Sequence, residues 1–123
     1  MMKELNGKKI LNITGCEFDS VGMYINFTDG SSIHFYHEQD CCESVYIEDV
    51  VGNPESHIGA ILYGIDEKSN RDSINTDLEY DSFTWTFYTI RTSKGYLDIR
   101  WFGSSNGYYG EGVSYNVTLK DNQ

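Results

Sequence analysis

Seven consecutive residues at positions 37–43, with the sequence HEQDCCE, carry the densest group of reactive side chains in the chain. Their imidazole, thiols and carboxylates could ligate zinc, or a histidine could activate a cysteine as a nucleophile. Zinc sites, however, use spaced cysteine pairs, whereas Cys41 and Cys42 are adjacent, and no second Cys/His cluster completes a site. No orienting partner for a nucleophile is recognisable. We therefore predict no catalytic residue, no metal and no cofactor. In this interpretation one cysteine is buried as a small hydrophobic residue and the carboxylates are solvated.

A second group of candidates lies in the C-terminal third. Arginine offers phosphate a planar fork, aromatic rings offer faces to a base, and the glycine-rich stretch 103–112 would let backbone N–H groups approach an anion. This stretch lacks the Gly-x4-Gly-Lys pattern of a phosphate-binding loop. The predicted ligand-binding residues are Arg91, Arg100, Trp101, Phe102, Asn106, Tyr108, Tyr109 and His37. The alternative is a β-turn with edge aromatics that contact another subunit.

Aromatic residues are concentrated in the same region. Ten of the eighteen Phe, Trp and Tyr residues fall between Phe83 and Tyr115. A small β core can bury only part of such a set, so the surplus would be available to a ligand or to a partner subunit. We therefore expect a homo-oligomer.

The charge of −10 is unevenly distributed. Positions 17–81 hold fifteen carboxylates against only Lys68 and Arg71. Such a chain should repel nucleic-acid polymers, whose binding requires neutralised phosphates, although a small anion could bind near the C-terminal arginines. The sequence contains no apolar run long enough to cross a membrane and no apolar signal-peptide segment at its polar start. We expect a cytoplasmic protein with reduced cysteines and no membrane partner.

The local patterns predict a mainly β protein. Alternation over 21–27 and 33–36 around an Asp-Gly turn predicts a hairpin, and further strands are expected over 9–18, 60–63, 83–91, 96–102 and 113–119. Residues 45–52 could form another strand or one helical turn. Asn53 and Pro54 predict a cap and a short helix near 54–59, while the polar stretch 65–81 reads as a loop. The predicted fold is one domain over 1–123 of mainly β (α+β) class, an antiparallel sheet or open barrel-like sandwich.

Three segments carry a resemblance to a known family. They are FYHEQDCCESVYIEDVVG at 35–52, SFTWTFY at 82–88 and RWFGSSNGYY at 100–109. Together they resemble a widespread family of small phage and prophage proteins that has been left as a domain of unknown function. The likeness covers nearly the whole chain, and its Cys-Cys-Glu and Asn-Gly-Tyr-Tyr segments are the most specific parts.

The resemblance to phage proteins implies a function class. In size and in its β-rich, oligomeric build the chain resembles the Thoeris anti-defence proteins, which sequester cyclic ADP-ribose isomers without cleaving them. This likeness implies a phage anti-defence protein that binds a nucleotide immune signal, a cyclic ADP-ribose isomer or a cyclic oligonucleotide, inside a bacterial host cell. The alternative is an acidic, DNA-mimicking inhibitor of a host nucleic-acid-binding or defence protein.

Overall fold

Eight strands form two four-stranded antiparallel sheets in the computed structural model, which describes residues 3–39, 43–75, 80–105 and 111–119. The first sheet has the order β1-β2-β3-β8 and the second β4-β7-β6-β5. The strands are β1 Ile10–Thr14, β2 Gly22–Phe27, β3 Ser32–Tyr36, β4 Ser44–Val51, β5 Leu62–Asn75, β6 Tyr80–Thr92, β7 Gly95–Ser105 and β8 Ser114–Thr118. The mainly β, antiparallel prediction is confirmed, and the strands do not close into a barrel.

The first sheet is built on the predicted hairpin. β2 and β3 pair with Ile25 opposite Ile33, and Gly30 in the turn takes a φ of 91°. This left-handed conformation is open to glycine at little cost. Alternation then turns Met23, Ile25 and Phe35 inward, where each is fully buried. None of the four strands in this sheet contains Asp, Glu, Lys or Arg.

The second sheet overturns one prediction. The stretch 65–81 was expected to be a loop, but most of it lies in β5 and the start of β6, which pair from Leu62 and Thr92 to Asn75 and Tyr80. Residues 66–70 are exposed. A strand at the edge of a sheet with little burial needs no apolar alternation, so the polar composition gave no strand signal. Residues 76–79 lie outside the described part of the chain.

The core lies between the two sheets. Its largest fully buried side chains include Trp101, Tyr88, Phe27 and Phe35, and the Phe35 and Tyr88 ring centroids are 4.6 Å apart across the interface between the sheets. Burial raises the pKa of the Tyr88 hydroxyl, which donates a hydrogen bond to Glu67. Packing of apolar faces from both sheets therefore supplies most of the stability.

The predicted short helix is not confirmed. In its place one turn of 3-10 helix spans Pro54–His57, capped as expected by Asn53, whose side chain accepts a hydrogen bond from Glu55 N at 3.1 Å. The turn ends where Gly59 takes a φ of 84° and the chain pairs with the start of β1, Ile10 N donating to Ala60 O at 2.8 Å. The prediction that Asn53 caps this segment is thus confirmed, but the chain changes direction at Gly59 before a second helical turn can form. No helix in the described residues is long and apolar enough to span a membrane.

Candidate functional site

Aromatic side chains cover part of the outer face of the second sheet. Along β6, Thr84, Thr86 and Tyr88 are buried, so Phe83, Trp85 and Phe87 point outward and are half-buried. Phe102 on β7 is the centre of the group, with ring centroids 4.6 Å from Trp85, 5.5 Å from Phe83 and 6.0 Å from Tyr46. Arg100 lies beside them, its guanidinium carbon 5.2 Å from the centroid of Trp85. We call Tyr46, Phe83, Trp85, Arg100 and Phe102 the aromatic face.

The charge of Arg100 is balanced by carboxylates. Its Nε donates to Glu48 Oε2 at 2.6 Å, and its Nη2 lies 3.8 Å from Asp49 Oδ2. The guanidinium therefore contributes a flat, stacked surface more than a free positive charge. An anion that binds here would have to displace or share these partners.

A shallow cavity of about 160 Å³ opens next to Arg100. Its lining includes Asp49, Phe87, Asp98 and Arg100, and the ladder between β4 and β7 shifts register between Ile47 and Asp49 at the same place. Pockets that enclose drug-sized ligands are roughly 300–1,000 Å³. This cavity is too small to bury a nucleotide.

Arg91 lies on the same outer face, farther along β6. Its Nε donates to Asp66 Oδ2 at 2.8 Å, and its guanidinium folds over Gly64, where an added Cβ would be 2.4 Å from Nη2. Both predicted arginines are thus engaged with carboxylates. They do not converge on one pocket.

A buried polar cluster lies at the end of the second sheet opposite Arg91, where β6 begins and β7 ends. The carboxylates of Glu43 and Glu111 are each in a residue only 4% exposed. His37 Nδ1–H donates to Gly112 O at 2.7 Å, and its Nε2 is 3.2 Å from Glu43 Oε2 without the alignment of a hydrogen bond. These contacts bring together the parts of the chain next to the Cys-Cys-Glu and Asn-Gly-Tyr-Tyr segments.

Hydrogen bonds satisfy both buried carboxylates. Gln39 Nε2 donates to Glu43 Oε1 at 2.8 Å, and Thr84 Oγ1 donates to Glu111 Oε1 at 2.8 Å. Ser105 also donates to Glu111. This arrangement corrects the reading of Glu43 as a solvated carboxylate. Buried carboxylates that accept hydrogen bonds in this way hold neighbouring segments of the chain together.

The predicted ligand-binding residues are therefore dispersed. Arg100 and Phe102 meet on the aromatic face, Arg91 lies apart from them, and His37 is in the polar cluster. Trp101 is a correction, because its side chain is fully buried in the core and presents no ring to a ligand. Asn106, Tyr108 and Tyr109 lie outside the described residues.

Sequence reasoning missed Trp85, Phe83 and Tyr46 as surface residues. Both alternating sets of β6 contain large apolar side chains, Phe83, Trp85 and Phe87 on one and Tyr88 and Ile90 on the other. The two-residue alternation of side chains therefore predicted a strand but did not show which of its faces is buried. The available signal was β7, where Leu97, Ile99 and Trp101 oppose Asp98 and Arg100 and so define the inner face.

Among the described residues, no group of three or more His, Cys, Asp or Glu side chains is placed to hold a metal ion. Burial raises the pKa of the Cys16 thiol to about 12, so Cys16 is a protonated thiol at neutral pH. Cys41 and Cys42 lie outside the described residues.

Comparison with known proteins gives one match. A family model described as "Domain of unknown function (DUF7448)" matches residues 3–115. No curated protein and no solved structure matches the chain. The likeness to a family of unknown function inferred from the three segments is thereby supported, without its phage origin.

Proposed function

We propose that this chain, which belongs to the DUF7448 family, acts by binding and not by catalysis, and that its aromatic face docks a basic protein partner. The observation that carries the proposal is the half-buried group of Trp85, Phe102 and Tyr46 on the outer face of the second sheet, around Arg100. Aromatic residues and arginine are the side chains that most often anchor protein interfaces. The flat arrangement and small cavity suit a protein surface better than an enclosed small molecule.

The charges around the aromatic face favour a cationic partner. Glu48 and Asp49 flank Arg100, Asp98 lies in the cavity beside it, and the chain as a whole carries −10. Such a field speeds the approach of a basic surface and repels an acidic one. A host nucleic-acid-binding or defence protein, met in a bacterial cytoplasm by a phage-encoded inhibitor, is the partner class that fits this chemistry.

A second candidate function is the sequestration of a nucleotide immune signal such as a cyclic ADP-ribose isomer. It is favoured by the guanidinium of Arg100 stacked on Trp85 beside an open cavity. A base could stack on the aromatic rings while the guanidinium binds phosphate. Because the cavity is small and the arginines are paired with carboxylates, this function would require a second subunit to complete the site.

The test compares Trp85→Ala with a matched control, Tyr96→Ala. Tyr96 is an exposed ring on the outer face of the same sheet, away from the aromatic face. Partners captured from host lysate would be purified and titrated by calorimetry. We expect Trp85→Ala to weaken binding by about 30-fold or more, the loss expected for an interface hot spot, and Tyr96→Ala to have little effect. Binding should also weaken as salt rises.

Separate titrations with cyclic ADP-ribose isomers and cyclic dinucleotides distinguish the two functions. Saturable binding followed by recovery of intact ligand after heating would favour sequestration, and a cleaved product would contradict a function without catalysis. If neither a basic protein nor a nucleotide loses affinity on Trp85→Ala, the aromatic face is not the binding surface.

A further inference from the structure

The two sheets have four edge strands, and three of them are blocked against pairing with another strand. The edge of β4 is covered by the loop between β1 and β2, since Ile47 N donates to Ser20 O at 2.8 Å and Asp19 N to Ile47 O at 2.7 Å. At β1, Ile10 bonds to residues 59 and 60, the residues just before it bond to Leu62, and a register shift follows between Ile10 and Asn12. Covering loops and bulges are established means of preventing edge pairing.

Charge protects the third edge. β5 carries Asp66, Glu67 and Lys68 in succession, and all three are exposed. Charged side chains on an edge strand oppose the approach of a second strand, because the desolvation of those groups is costly.

The fourth edge, β8, has none of these protections. Ser114–Thr118 contains no charge and no proline, it pairs with β3 in continuous register, and no described residue pairs with its other side. The unpaired N–H and C=O groups on that side can accept another strand. The sheet to which β8 belongs is also the one without charged residues in its strands.

We propose that β8 pairs antiparallel with β8 of a second copy of this chain, about a two-fold axis at Asn116. A second copy is the expected partner because the order of side-chain types along β8 is the same in both directions. The types are hydroxyl, apolar, amide, apolar and hydroxyl, for Ser114, Tyr115, Asn116, Val117 and Thr118. A two-fold interface requires this kind of self-complementarity.

In this register each cross-strand pair is a favourable one. Ser114 faces the second copy's threonine at 118, Tyr115 faces its valine at 117, and the two Asn116 amides face one another. Hydroxyl pairs and aromatic–β-branched pairs are among those that stabilise antiparallel strands. Tyr115 and Val117 lie on the core side, with the Tyr115 ring 6.5 Å from that of Phe35.

Pairing of the β8 edges joins the two first sheets into one continuous sheet. Although each chain carries −10, the strands that meet are uncharged, so the charged second sheets stay apart. The contact is short, and we expect a dimer with a dissociation constant in the micromolar range. This inference is independent of the proposed partner of the aromatic face.

The test is analytical ultracentrifugation of the wild-type chain and of two double variants that differ at one position. In Ser114→Lys/Thr118→Lys, lysines oppose one another twice in the dimer, whereas in Ser114→Lys/Thr118→Glu each lysine opposes a glutamate. Like charges directly opposite destabilise strand pairing and unlike charges stabilise it. We expect the dissociation constant to rise at least about tenfold in the first variant and to stay near the wild-type value in the second.

Thr14→Lys is the control for charge, because Thr14 is exposed on the other edge strand of the same sheet. It should leave the dimer intact, and circular dichroism of every variant should match the wild type. A wild-type chain that remains monomeric at micromolar concentration overturns the proposal. So does equal dissociation of the two double variants when both are folded, because the register would then be wrong.

Discussion

At the scale of single residues, Gly103 and Glu111 close one end of the sandwich. Gly103 lies on the inner face of β7, opposite Val45. A Cβ added to it would be 2.5 Å from Glu111 O and 2.9 Å from Glu111 Cβ. Because Gly103 has no side chain, the backbone at Glu111 can pack directly against β7. In this position the Glu111 carboxylate accepts hydrogen bonds from Thr84 and Ser105.

Gly103→Ala should therefore destabilise the protein. The methyl group would meet backbone, which cannot rotate away, and overpacking of this kind costs about 1–3 kcal/mol. Urea unfolding measures the change in the free energy of unfolding. Gly112→Ala is the control, because an added Cβ there meets nothing within 4 Å. Equal stability of the two variants would show that the segment at 111 does not pack on Gly103.

The sequence did not show which carboxylates are buried. Glu43 and Glu111 are both buried, although acidic side chains are mostly exposed in folded proteins. Glu111 accepts a hydrogen bond from Thr84, 27 residues away in the chain, and Glu43 lies beside His37, which bonds to the distant Gly112. A single sequence carries no local pattern for such contacts. Arg100 and Phe102, by contrast, followed from simple alternation along β7.

At the scale of elements, the turn between β2 and β3 is held by the ionised side chain of Asp29. The carboxylate accepts a hydrogen bond from Lys8 and another from Ser31 N at 2.9 Å. These contacts, that from Lys8 most of all, lower the pKa of Asp29 from 3.8 to about 2. Because the folded chain favours the ionised form, the contribution to stability is complete above about pH 4 and is lost as the pH falls toward 2.

Asp29→Asn should accordingly be less stable than the wild type at neutral pH, and the difference should shrink between pH 4 and pH 2. Thermal unfolding across this range measures it. Glu55→Gln removes the same charge from an exposed side chain and serves as the control. A difference between wild type and Asp29→Asn that does not change with pH would mean that the Lys8 contact is not formed in solution.

The reliability of the predicted elements depended on their burial. The β2–β3 hairpin and the β6–β7 pair were recognisable because one face of each is apolar and a turn residue marks the connection. Only the start of β5, at Leu62 and Tyr63, was predicted, because its residues 66–70 are exposed and show no apolar alternation. The 3-10 turn at Pro54–His57 shows that an N-cap residue predicts where a helical segment begins but not how long it is.

At the scale of the whole molecule, the two tryptophans report which side of the second sheet faces the core. Trp101 is fully buried and Trp85 is half-buried on the opposite face. In Trp85→Phe the remaining fluorescence should be shielded from acrylamide, whereas in Trp101→Phe it should be quenched several-fold more strongly. Equal quenching of both variants would place the aromatic face inside the sandwich and remove the proposed docking surface.

The pairing of β3 with β8 also bears on how the chain is made. Ile33 pairs with Val117, and all four strands of the second sheet lie between them in the sequence. During synthesis the hairpins β2–β3, β5–β6 and β6–β7 can form from neighbouring segments as they leave the ribosome, but β3 must wait for β8. Until then β3 is an open, uncharged edge, and nascent chains that meet on the same polysome are at greatest risk of aggregation in that interval.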